Sequence, residues 1–165
     1  MNKRNIILIG MPGAGKSSVG VILAKVLGYE FIDTDLVIQH REKRLLREII
    51  ADEGNEGFLA IENEVNATLE ADKSVIAPGG SAIYGKEAME HFKEIGTIVY
   101  LKLSYEDLAK RLGNLKGRGV VLKEGQTLKD LYDERSKLYE QYAEITVDES
   151  GSCLLYTSPS PRDTR

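Results

Sequence analysis

A single cysteine, Cys153, stands in 165 residues, which excludes an internal disulfide and a thiolate metal cluster. Basic charge is also scarce. The 22 Lys and Arg are outnumbered by 26 Asp and Glu, for a formal charge of -4, so the basic footprint expected of a DNA- or RNA-binding face is missing. The longest apolar runs, such as Ile6 to Ile9 and Gly96 to Leu101, are far too short to span a membrane. Met1-Asn2-Lys3-Arg4 opens the chain without a secretory apolar region or cleavage site. There is no internal repeat and no low-complexity segment. These absences lead to the expectation of a cytoplasmic protein without nucleic-acid or membrane partners, and of a monomer by default. At 42% hydrophobic and 29% charged, the chain suits one domain of α/β or α+β type with a core large enough to be stable alone.

Proline is rare too, and two of the four, Pro159 and Pro161, fall in a final stretch that changes character abruptly and has no periodicity. Cys153 to Asp163 resembles the translation of the transposase-end adapter used in preparing sequencing libraries. Residues 153–165 are therefore read as a read-through scar and set aside from fold reasoning. Residues 1–152 are read as one domain, truncated at its C-terminus.

Within that domain short apolar runs alternate with helical periodicity. Asn5 to Ile9 leads into a glycine-rich stretch, and Lys16 to Leu27 follows with Val19, Ile22, Leu23 and Val26 at helical spacing. Gly28 is placed to close that helix, and Tyr29 to Ile32 reads as a strand ending at Asp33. Leu36 to Leu69 reads as two or three helices interrupted near Gly54 and Gly57. Ser74 to Ala77 is a strand stopped by Pro78-Gly79-Gly80, Lys86 to Ile95 a helix, and Thr97 to Leu103 a buried strand. Ser104 caps the next helix. Residues 113–125 hold four glycines without apolar period and read as a mobile surface loop. Thr127 with Asp130 caps a helix to about Ala143, and Ile145 to Val147 is the last strand. Strands separated by helices predict a parallel sheet covered on both faces.

Gly10-Met11-Pro12-Gly13-Ala14-Gly15-Lys16-Ser17 fits the P-loop pattern G-x-x-x-x-G-K-[ST]. Glycines let the backbone curl so that successive N–H groups point at phosphate oxygens. Gly13, Ala14, Gly15, Lys16, Ser17 and Ser18 are thus the candidate residues for binding a nucleoside triphosphate. Lys16 reaches the β and γ phosphates, the Ser17 hydroxyl faces Mg2+, and the helix beginning there turns its positive end to the anion. The working reading is transfer or hydrolysis of a nucleoside triphosphate.

Other residues narrow that class. No Asn-Lys-x-Asp guanine motif is present. Asp33-Thr34-Asp35 follows the second strand, at the edge where open α/β sheets bind ligands. In an extended segment both carboxylates face one way, one to hold Mg2+ and the other to orient or deprotonate an attacking hydroxyl; the alternative is a helix N-cap with a surface acid. Arg135 falls within the stripe Leu128, Leu131, Tyr132, Leu138, Tyr139 and Tyr142, and Glu62 shares the face of Phe58, Val65 and Leu69. Buried charges require partners, so these two either pair with each other or line a polar pocket. Arg118, in Gly117-Arg118-Gly119, is either a solvated loop residue or a cation that swings over the transferring phosphate.

Together these motifs resemble the shikimate kinase family over about residues 4 to 151. The resemblance implies a three-layer α/β/α fold like that of nucleoside monophosphate kinases, with a central parallel sheet and a lid at about 113–125. It also implies ATP-dependent phosphorylation of a hydroxyl on a small carboxylated alcohol, with Mg2+ as cofactor; shikimate, converted to shikimate 3-phosphate in aromatic amino acid biosynthesis, is the first expectation. By position, Gly13 to Ser18 would bind ATP; Lys16, Asp35 and Arg118 would act in catalysis, Ser17 and Asp33 would support the metal, and Asp35, Glu62, Gly79, Gly80 and Arg135 would bind the acceptor. Where the family usually has Phe-Arg-x-x-Glu, with that arginine half of a carboxylate clamp, this chain has Phe58-Leu59-Ala60-Ile61-Glu62. Its usual Gly-Gly-Gly is Gly79-Gly80-Ser81. Arg44 and Arg47 are the candidates to replace the missing arginine. A hydroxy amino acid or sugar acid is the alternative acceptor, with Glu62 receiving an ammonium. A nucleoside or nucleotide kinase and a regulatory nucleotide-binding module remain the competing classes. In the family, the chain beyond the last strand helps enclose adenine, so the truncation implies weaker ATP binding.

Overall fold

Among the described residues, five short strands carry the apolar runs, and all of them pair in parallel. A computed structural model describes residues 3–113 and 125–149. Strands β1 (Asn5–Ile9), β2 (Glu30–Asp33), β3 (Ser74–Ala77), β4 (Gly96–Lys102) and β5 (Ile145–Asp148) form one sheet in the order β2-β3-β1-β4-β5. Register runs from Ile7 to Ile76 on one side of β1 and from Ile7 to Ile98 on the other. The central strands β1 and β3 are almost wholly buried, whereas edge strand β5 is exposed. Near-continuous apolar strands are what a sheet covered on both faces requires.

Helices α1 (Lys16–Leu27), α2 (Thr34–Glu42), α3 (Leu46–Ala67), α4 (Lys86–Ile95), α5 (Tyr105–Gly113) and α6 (Leu128–Tyr142) supply the cover, with a 3-10 turn at Ala82–Tyr84. On one face Ile7, Ile9, Ile76, Ile98 and Tyr100 pack with Met89, Phe92, Leu131 and Tyr139 from α4 and α6. On the other, Leu8, Val75 and Leu101 meet Ala24 of α1. The predicted stripe of α1 is split. Val19 and Leu23 pack on the sheet, but Ile22 and Val26 are 64% and 75% exposed. At 100° per residue, Val19, Gly20, Leu23 and Ala24 center on the sheet and Ile22 and Val26 fall on the flank. Gly20 brings the helix close: a Cβ there would stand 2.5 Å from Phe31 Cε1.

Of the two expected interruptions in the 36–69 stretch, one is real. Gly54, with φ 77° and ψ 175°, kinks α3, whereas Gly57 stays helical. The kink permits the two halves of α3 to pack with α2 around Ile38, Ile49, Phe58 and Val65. The Thr127–Asp130 cap of α6 is reciprocal, each side chain accepting from the other residue's N–H at 3.1 Å. Ser104 accepts from the Asp107 N–H at 3.2 Å. Arg118, most of the segment predicted as a lid, and the whole of 153–165 lie outside the described residues.

Candidate active site

Parallel strands end on the same edge, so the segments after β1, β2 and β3 converge there. A cavity of about 580 Å³ opens between them, walled by Pro12, Gly13, Gly15 to Ser18, Asp33 and Asp35, Ala77 to Ser81, residues of α3 between Leu46 and Glu62, and Arg135.

The glycine-rich segment has the curled backbone its sequence predicts. Gly13 and Gly15 have φ of 93° and 85°, a region that L side chains rarely enter. Gly15 caps α1, whose exposed Ser17 and Ser18 stand at the cavity. The Lys16 ammonium donates to the Gly10 and Met11 carbonyls at 2.9 and 3.0 Å, which lays it across the loop. From behind, Arg111 of α5 donates to the Gly13 carbonyl at 2.9 Å. Glu149, at the end of β5, is buried, and that burial pushes its carboxyl up to about 7 against the pull of Arg111 and Lys16. Neither Arg111 nor Glu149 was legible as part of this site, because 98 residues separate Arg111 from the glycine it holds.

Asp33 and Asp35 both line the cavity, but not as alternate residues of an extended segment. Asp33 is the N-cap of α2 and accepts from the Asp35 N–H at 2.9 Å, while Asp35 lies in the first helical turn. The N-cap reading and the site reading therefore hold together: the cap turns the chain so that Asp35 enters the pocket. Burial raises the Asp35 carboxyl to about 6, with Asp33 adding repulsion and Lys16 opposing it.

Glu62 and Arg135 are 1% and 5% exposed. They line the pocket rather than forming a direct ion pair. Ser81 Oγ donates to Glu62 Oε1 at 2.6 Å. Glu62 Oε2 and Arg135 Nε are buried without a hydrogen-bond partner among the described residues. Burial raises the Glu62 carboxyl to about 7, although Ser81 and Arg135 draw it down. The Arg135 guanidinium stands 5.5 Å from the center of the Tyr84 ring, whose hydroxyl donates to Glu134. Tyr84 was missed by sequence reasoning, since it sits in a 3-10 turn with no periodicity to expose it. Ser81, which stands where the family usually has a third glycine, directs its hydroxyl onto Glu62.

The two glycines after β3 bring these groups together. A Cβ on Gly79 would lie 3.0 Å from Asp35 Oδ1 and 3.1 Å from Glu62 Oε2, and one on Gly80 would lie 2.9 Å from Arg135 Nη1. Side chains at either place would fill the space that the carboxylates and the guanidinium face. Tyr139, one turn after Arg135, holds the Gly80 carbonyl through a 2.7 Å hydrogen bond. Of the two candidate replacement arginines, Arg44 is tied to Glu42, Asp52 and Glu53, whereas Arg47 lines the cavity.

A P-loop joined to a second, charged pocket on a five-stranded parallel sheet defines a phosphotransferase that acts on a small molecule. Comparison with known proteins carries this further. The family model for shikimate kinase matches residues 12–154. Shikimate kinase 2 of Yersinia enterocolitica is 34% identical over 154 residues, 88% of this chain and 86% of that protein. Among solved structures, the shikimate kinase of Acinetobacter baumannii in complex with shikimate superposes with a TM-score of 0.77 at 35% identity, covering 87% of this chain and 82% of that one. The Aquifex aeolicus enzyme gives 0.70 at 32%, over 87% and 85%. The chain belongs to the shikimate kinase family, whose members are kinases that use ATP to phosphorylate an alcohol group. No helix among the described residues is long and apolar enough to cross a membrane.

Proposed function

We propose that the chain transfers the γ-phosphoryl group of ATP to a hydroxyl of shikimate, giving shikimate 3-phosphate. The observation that supports this most directly is the convergence of Lys16, Asp35, Glu62 and Arg135 on one cavity. Backbone N–H groups from Gly13 to Ser18 and the start of α1 cradle the phosphates, and Lys16 leaves its loop carbonyls to neutralize them. The acceptor carboxylate is received by Arg135, and the Gly79-Gly80 backbone admits the ring beside Asp35. Asp35 orients the hydroxyl and takes its proton as the oxygen–phosphorus bond forms and the bond to the ADP oxygen breaks. A carboxyl raised to about 6 is mostly ionized at neutral pH yet more basic than an ordinary aspartate, as this task demands.

The exposed Ser17 hydroxyl and the Asp33 carboxylate border the same cavity. They are oxygen donors of the kind Mg2+ takes alongside substrate phosphates, and would hold it here. The ion supplies charge neutralization on the transferring phosphate. Arg118 is assigned closure over the phosphates by its place in the family pattern.

The orphaned Glu62 Oε2 supports a second reading, in which a hydroxy amino acid places its ammonium there. ATP consumption with Mg2+ against shikimate, gluconate, serine, threonine and homoserine separates the two. Saturable turnover of shikimate, lost in Asp35→Asn and Arg135→Ala, is the expected result. Turnover confined to an amino acid would replace shikimate as the acceptor, and nucleotide binding without any turnover would point to a regulatory module.

A further inference from the structure

We propose that Arg47 is a second anchor for the acceptor's carboxylate, working across the cavity from Arg135; this rests on the shikimate reading above. Three arginines lie at the α2–α3 corner, and two are committed to acids. Arg41 pairs with Glu64 at 3.0 Å, and Arg44 with Glu42 and Asp52, each at 3.0 Å. Arg47 lies in the first turn of α3, on a helix that also carries Glu48, Asp52, Glu53 and Glu56. Despite these neighbors it makes no hydrogen bond or ion pair among the described residues, and it lines the cavity.

The rest of the cavity explains what such a cation is for. Lys16 is held on the phosphate loop, and α3 presents Leu46, Ile50, Phe58 and Leu59 to the interior. A carboxylate arriving against that apolar wall finds no donor at Leu59. Arg135 is nearly buried and its Nε lacks a partner among the described residues, so it offers a desolvated grip. Arg47 is exposed to solvent and also lines the cavity. A planar carboxylate has two oxygens and accepts from two guanidiniums at once, which leaves the hydroxyls of the ring directed to Asp35 and Glu62.

The test is steady-state kinetics of Arg47→Ala, Arg47→Lys and Arg47→Ala/Leu59→Arg with shikimate and with its methyl ester, which lacks the anionic carboxylate. Arg47→Ala is expected to raise KM for shikimate about tenfold to a hundredfold, with kcat within about threefold and KM for ATP unchanged. Arg47→Lys falls between, since an ammonium cannot match the bidentate geometry. Adding Leu59→Arg restores binding by returning a cation to the wall. With the methyl ester, wild type and Arg47→Ala converge, an outcome that a merely structural role for Arg47 would not produce. Normal turnover of shikimate by wild type with an unchanged KM in Arg47→Ala overturns the role of Arg47 and leaves the enzyme's function standing. Wild type that does not turn over shikimate overturns both.

Discussion

Replacing Glu62 by glutamine removes a charge that the fold shelters from water. In the native state burial raises this carboxyl from 4.5 to about 7, outweighing the hydrogen bond from Ser81. The folded protein therefore holds the proton more tightly than the unfolded chain. The stability drawn from it is complete below pH 4.5 and is lost as pH rises through about 7. At about 1.4 kcal/mol per pKa unit, that interval amounts to about 3 kcal/mol. Asp35 and Glu149 are raised in the same direction, so the wild-type profile alone does not isolate Glu62. The difference between wild type and Glu62→Gln does, because glutamine keeps the shape and still accepts from Ser81. Urea unfolding at pH 5 and pH 8 is expected to show the variant gaining most of that 3 kcal/mol relative to wild type at the higher pH, while acceptor turnover falls. A stability difference that stays constant between the two pH values would refute the view that Glu62 is a desolvated acid in the folded protein.

Asp35→Asn should lower kcat by about 10²- to 10⁴-fold, with nucleotide affinity intact in a fluorescent-analogue titration. In wild type, kcat/KM should fall as pH drops through about 6, where Asp35 takes up its proton and can no longer accept one. Tyr139→Phe leaves the Gly80 carbonyl without its 2.7 Å partner, and should cost about 1 to 3 kcal/mol in urea unfolding and raise KM for the acceptor. Gly20→Ala drives a methyl to 2.5 Å from Phe31 Cε1, and should cost about 1 to 3 kcal/mol through overpacking, read as a lower melting temperature without a change in KM.

The sequence by itself determined what local rules govern. The phosphate loop was legible because its glycines, lysine and serine act within one short segment, where spacing alone sets geometry. The Thr127 and Ser104 caps followed for the same reason, as did the parallel sheet, since alternating apolar runs and helices leave few other ways to bury both faces. Arg135 and Glu62 could be marked as inward charges from periodicity, because a helix face is a local property. Whether they would pair or line a pocket was decided only by packing: the kink at Gly54, the close approach allowed by Gly79 and Gly80, and Ser81 reaching 19 residues back to Glu62. Likewise Arg111 and Glu149 join the phosphate loop through contacts distant in the chain, and Arg44, just before α3, is neutralized by acids whereas Arg47, in the first turn of α3, lines the cavity. Charge type is written in the residues, but its partner and its degree of burial are set by which distant segments the fold places against it, and those two quantities decide its chemistry.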